Sequence, residues 1–222
     1  MAIIGNGIPA FLFTKAQTYL DSSLVGILNA MVPLFTLILG VYFFKSKPTK
    51  TNITGIMIGL FGVVLLITKN LSSVVVLNVY VLLVVLATIC YAISINVIKK
   101  YLHDLNATSI TAFAFLIIGP FSIIYLLTTN FTNQLITHED GYMALLYIAL
   151  LSVLGTSLAV IIFNKLISRS SAIFASSVTY LIPIVAILWG VFDGEKITVY
   201  HLIVMVIILC GVYLVNKKSP AN

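Results

Sequence analysis

The residues best placed to bind something form short polar faces on long apolar stretches. In Leu24–Val41 (LVGILNAMVPLFTLILGV), Gly26, Asn29, Ala30 and Pro33 stand at i, i+3, i+4 and i+7, which is one face of a helix. In Phe174–Val191 (FASSVTYLIPIVAILWGV), Ser176, Thr179, Tyr180 and Pro183 take the same offsets. Asn6, Ala10, Phe13 and Gln17 share a third face, Thr88, Tyr91 and Ser94 a fourth, and Ser152 and Thr156 a fifth. Amides, hydroxyls and aromatic rings at membrane depth turn away from lipid. These faces therefore predict a wet cavity lined by Asn6, Phe13, Gln17, Asn29, Pro33, Tyr91, Ser94, Thr156, Ser176, Thr179, Tyr180 and Pro183. Hydrogen bonding between helices is the competing use of the same residue types.

Other chemistry finds little support. No nucleophile–base pair, phosphate loop or HExxH helix is present. His103, His138 and His201 fall at loops or stretch ends without metal-ligand spacing, and Cys90 and Cys210 lie inside apolar runs, where packing thiols are the default. No catalytic residue, metal or cofactor is expected, and an enzyme is disfavoured. No Asp or Glu lies inside any apolar stretch, which disfavours exchange of protons for organic cations at a membrane carboxylate. Lys15 and Lys165 stand near stretch ends, where snorkelling to the interface competes with attraction of an anionic group. Glu195 reads as a turn residue favourable at a helix N-terminus.

The elements that carry these faces are membrane spans. AVILMFWYC residues make up 61% of the chain and charged residues 8%, with a mean hydropathy of +1.17; soluble domains run at about 45–50% and 25%. The apolar runs are about 20 residues long and not alternating, so a helical bundle fits and a β-barrel does not. Eight spans are expected, at about 2–20, 22–44, 52–68, 75–98, 107–128, 142–164, 172–192 and 197–216. A signal peptide competes for the first, which lacks a positive n-region and a clean cleavage site. Gly55, Gly59 and Gly62 predict close helix contact in the third. The longest loop is expected at Thr129–Gly141.

The net charge of +6 is read as topology rather than nucleic-acid binding. Alternating spans put Lys45, Lys47, Lys50, Lys99, Lys100, Lys165, Arg169, Lys217 and Lys218 on one side, against Lys69 and Lys196, with Lys15 near a span end. The positive side is expected to be cytoplasmic, with both chain ends there.

The chain also repeats itself. A shift of about 150 positions pairs Pro33 with Pro183, Gly40 with Gly190, Gly5 with Gly155, Phe13 with Phe163 and Lys15 with Lys165. One residue less pairs Lys47 with Lys196, Gly62 with Gly211 and Leu65 with Leu214. Spans one to three thus match spans six to eight. An odd number of crossings separates the partners, so they run in opposite directions. Two proline-bent helices at matching positions of an inverted repeat suggest a carrier.

Leu24–Val41 with Gly59–Val63, and Phe174–Val191 with Gly211–Val212, each give an apolar helix with a central proline, a short charged turn and a helix with a late glycine. In this the chain resembles the EamA-type transporters of the drug/metabolite transporter superfamily. The resemblance implies an all-α, multi-pass, inverted-repeat bundle with a central solute cavity. It divides the chain into 1–70, the last three helices of a first five-helix repeat, and 75–218, a complete second repeat. The first two helices of the family pattern have no counterpart. The family often carries a glutamate in the turn after each proline helix; Glu195 matches, whereas Ser46 occupies that place in the first repeat. The expected function is secondary transport, as exporter or permease, of amino-acid-like or drug-like solutes across the cytoplasmic membrane by alternating access. The alternative is a non-transporting fragment or subunit that needs helices from another chain. Expected partners are a small-molecule solute and the lipid bilayer, with no nucleic acid; a homodimer and a chain supplying two helices both stay open.

Overall fold

The computed structural model describes residues 1–20, 25, 28–68, 79–182, 184–185 and 198–216, and among these it holds helices and no strand. A π-helical turn, Ala2–Gly7, leads into α1, Ile8–Gln17. Then come α2, Val32–Phe44, and α3, Lys50–Thr68. The fourth and fifth helices are α4, Val79–Tyr101, and α5, Ala107–Leu127. A short α6, Phe131–Thr137, precedes α7, Gly141–Leu150. A second π segment, Leu151–Leu158, joins α7 to α8, Ala159–Arg169. α9, Ala172–Ser177, runs into a 3-10 turn, Val178–Leu181, and α10 is Val199–Asn216.

Three of these stretches are long and apolar enough to cross a membrane: Val79–Tyr101, Ala107–Leu127 and Gly141–Arg169. Val32–Phe44, Lys50–Leu65, Ala172–Leu181 and Leu202–Val215 are apolar but shorter. Large apolar side chains such as Leu116, Phe121, Ile124, Leu151 and Val153 stand on the outside. That is the pattern of a bundle whose solvent is lipid and whose backbone polar groups are satisfied within helices.

Helix α4 is the centre. It touches α1, α2, the first π turn, α8 and α9, and Ala87, Thr88, Ala92, Ser94, Ile95 and Asn96 are buried along it. Small residues there let neighbours approach from several sides. Asn96 Nδ2 donates to the carbonyls of Thr36 (3.1 Å) and Ala92 (2.9 Å), tying α4 to α2 by a buried polar link.

The proline helices break where the ring demands it. α2 begins at Val32 with Pro33 in its first turn, after a turn at Ala30–Met31. In the matching stretch, α geometry tightens to a 3-10 turn over Val178–Leu181, just before Pro183, which lies outside the described residues together with Gly26, Gly190, Glu195 and Lys196. Proline has no N–H to donate back into the helix and its ring crowds the carbonyl four residues earlier, while Val32 and Ile182, the residues before the two prolines, keep helical geometry.

The Thr129–Gly141 stretch is not a plain loop. Phe131 and Leu135, one helical turn apart in α6, share a hollow with Ala144, Leu145 and Ile148 of α7. The half-buried apolar pair in an otherwise polar segment accounts for the extra helix.

Glycines set the α3–α10 contact. A Cβ on Gly59 would stand 2.5 Å from Tyr180 Cε2, and one on Gly211 would stand 2.5 Å from Gly59 N. In lipid such backbone approach supplies dispersion that apolar bulk cannot. Gly211→Leu is therefore expected to lower stability by about 1–3 kcal/mol through overpacking, read as a fall in melting temperature. Gly119→Ala, where a Cβ meets nothing within 4 Å, is expected to leave it unchanged.

Candidate functional site

The two π segments stand about 150 positions apart, in register with the sequence repeat: Gly5 answers to Gly155 and Asn6 to Thr156. In the first, Pro9 has no N–H and its ring crowds the carbonyl four residues back, at Gly5, so the turn ahead of it widens. In the second, Ser157 Oγ donates to Ser152 O (2.9 Å), five residues back. Single π turns inside helices concentrate at functional sites because they alter the aim of side chains.

Both segments flank one cavity of about 410 Å³, walled by the first π turn, α1, α4, α5, the second π segment and α8. It lies in the range of small-molecule sites, roughly 300–1,000 Å³. Its polar wall includes Asn6, Tyr91, Ser94, Ser122, Thr156 and Asn164, and its apolar wall includes Phe11, Phe115 and Phe163. No Asp, Glu, Lys, Arg or His is among its described lining residues.

The predicted residues divide into two groups. Asn6, Tyr91, Ser94 and Thr156 meet at the cavity, and Phe13 stacks on Tyr91 from behind, with ring centroids 5.7 Å apart. The others lie elsewhere. Gln17 is exposed on the outer surface and Asn29 is half-buried. Pro33 is buried at the start of α2. Ser176 and Thr179 bond their own helix carbonyls, Ile173 O and Ser176 O. Tyr180 is fully buried and donates to Ile56 O at 3.1 Å.

Asn164 is a lining residue that the sequence reading passes over, yet its signal was present. Thr156, Val160, Phe163, Asn164 and Ile167 line the cavity at helical spacing, continuing the face that begins at Ser152 and Thr156.

At one end of the bundle, Lys47, Lys99 and Lys100 line a hollow of about 270 Å³ with Asn52, Asn96 and Ser171. Lys99 Nζ donates to Ser168 O at 3.0 Å. Basic residues from the α2–α3 loop and from the last turn of α4 thus gather at one end.

A family model described as the EamA-like transporter family matches residues 1–68 and 78–217. An uncharacterized transporter of Archaeoglobus fulgidus is 24% identical over 221 residues, covering 98% of this chain and 76% of its own length. The uncharacterized transporter YcxC of Bacillus subtilis is 27% identical over 203 residues, 87% of this chain and 64% of its own. The chain thus spans between about two thirds and three quarters of these relatives. A protein of known crystal structure superposes with a TM-score of 0.75 at 13% identity, over 96% of this chain and 74% of its own.

Proposed function

The chain belongs to the EamA-like transporter family, and from that premise we propose that this membrane protein is a secondary carrier moving small organic metabolites or drug-like solutes across the cytoplasmic membrane by alternating access. One observation carries the reading. The cavity is walled by both π segments, at repeat-related positions, and is lined by hydroxyl and amide groups in an otherwise apolar bundle. Asn6, Tyr91, Ser94 and Thr156 form its solute contacts, with Phe13 fixing the Tyr91 ring. Asn29, Pro33, Ser176, Thr179, Tyr180 and Pro183 belong to the two proline helices, and Gln17 to the end of α1. Their role is the rearrangement that opens the cavity to either side. Residues 1–70 act as the last three helices of a first repeat, and 75–218 as a complete second repeat of inverted topology. The lysine-rich end faces the cytoplasm with both termini, supported by the gathering of Lys47, Lys99 and Lys100.

The test reads water access. In a chain with Cys90→Ala and Cys210→Ala, Ser94→Cys is expected to react with a membrane-impermeant methanethiosulfonate reagent in reconstituted vesicles. A cysteine at Ala87, fully buried on the same helix, is expected to stay unreacted. Equal inertness of the two positions would remove the aqueous cavity and the carrier reading with it.

A second reading, a subunit that works only with helices from another chain, has its own observation. The apolar window of Gly141–Arg169 is 0% buried, against 56% for Val79–Tyr101, so one side of the cavity-bearing helix is uncovered. On that reading Ser94→Cys reacts equally fast from both sides of the membrane, because the cavity never closes.

A further inference from the structure

We propose that the solute this cavity takes is uncharged, donates a hydrogen bond to Asn164 Oδ1, and lays an aromatic or aliphatic body against Phe115, Phe163 and Tyr91. This rests on the cavity being the solute site, and it names what that site selects.

The argument begins at Thr111 on α5, which is 2% exposed. Its hydroxyl donates to Ala107 O at 2.9 Å, which commits its only proton. Its oxygen therefore accepts, and it does so from Asn164 Nδ2 at 2.9 Å. That fixes which way the Asn164 amide faces. Its other end, Oδ1, accepts no hydrogen bond from the described residues, although Asn164 is only 2% exposed. Among the described residues no fully enclosed side-chain N or O lacks a partner, so this oxygen keeps its access through the cavity that Asn164 lines. Ser94 is in the same position: 5% exposed, lining the cavity, and with a hydroxyl that bonds none of the described residues. Two largely buried polar groups thus face one space, where water or a solute must satisfy them.

Charge decides the class of occupant. An ion taken from water into an apolar wall needs a counter-charge; no Asp, Glu, Lys, Arg or His side chain is among the described lining residues, and Met1 is the one lining residue that can bring a charge, through its backbone nitrogen. The oxygen of an amide asks for an N–H or O–H. The rings of Phe115, Phe163 and Tyr91 ask for a flat or branched apolar body. A neutral amide or alcohol on such a body satisfies all three.

The probes are phenylacetamide, phenethylammonium and phenylacetate, which share one ring and differ in charge. Equilibrium binding is measured on the purified full chain in lipid nanodiscs, with Asn164→Leu and the near-isosteric Asn164→Asp checked for folding by gel filtration. The amide is expected to bind the natural chain at least about tenfold more tightly than either ion. Asn164→Leu is expected to lose that affinity, and Asn164→Asp to turn the preference toward the ammonium ion, which then has a counter-charge. An ion bound as tightly as the amide, or amide binding unchanged in the folded Asn164 variants, overturns the proposal. If no probe binds while Ser94→Cys still reacts from water, the proposal falls and the cavity reading stands. If neither occurs, both fall.

Discussion

Gly5→Val is expected to slow modification of Ser94→Cys at least tenfold, about 1.4 kcal/mol in the barrier, and the same change at Gly155 is expected to leave it unaltered. Gly5 is buried where the first π turn lies flat against α4. A Cβ there would overlap Ser94 Oγ and stand 2.8 Å from Ser94 Cβ. The second contact is with the root of a side chain on the central helix, so it cannot rotate away. Either α4 or the π turn must shift, at about 1–3 kcal/mol for overpacking, and the shift drives Asn6 into the space it lines. Gly155 holds the equivalent position in the second π segment, yet a Cβ there meets only Leu151, within its own segment, at 2.8 Å from the mobile Cδ1. The two glycines match in sequence and differ in surroundings, because α4 packs on one π segment and the outer side of the other is open. Equal effects at both positions would show that the Gly155 side is also covered in the membrane. Cysteine reactivity, measured as a second-order rate in vesicles, reads either result.

That asymmetry also marks the limit of what the residue pattern could convey. Helix class was legible, and of the eight expected spans Val79–Tyr101, Ala107–Leu127 and Gly141–Arg169 stand out at spanning length among the described residues, because composition and run length are properties of the segment alone. The breaks before the two prolines were legible because proline acts locally. The cavity face on α4, Tyr91 and Ser94, was legible from spacing. The π segments were not, since Gly5–Asn6–Gly7 and Gly155–Thr156 suit a plain helix turn as well, and only neighbours reveal a widened one. Asn164 was passed over for a related reason. It stands beside Lys165, and its identity as an open acceptor depends on a hydroxyl 53 residues away, at Thr111. The glycines of α3 predicted a close contact without naming the partner, which is α10. Family membership rests on the whole pattern and says little of the solute.

Tyr180→Ala is expected to cost on the order of 3–5 kcal/mol, the range for truncating a buried aromatic, and Tyr180→Phe only about 1 kcal/mol for one hydrogen bond. The ring is fully buried, sits over Gly59 and joins a cluster with Ala30, Val63, Ile184, Val204 and Ile208. Its hydroxyl reaches across to Ile56 O at 3.1 Å, so the side chain links the second proline stretch to α3 from both its face and its tip. Melting of the purified chain measures the two costs. The pair of variants also separates two roles that spacing could not. If Tyr180 holds helices together, Tyr180→Phe binds the aromatic amide as the natural chain does, because the residue stands away from the cavity. If its hydroxyl touches solute in another state of the carrier, Tyr180→Phe leaves stability nearly intact while turnover in vesicles falls by more than its 1 kcal/mol accounts for, about fivefold. A stability loss without a turnover loss places the tyrosine in the scaffold. A turnover loss without a stability loss places it on the solute's path.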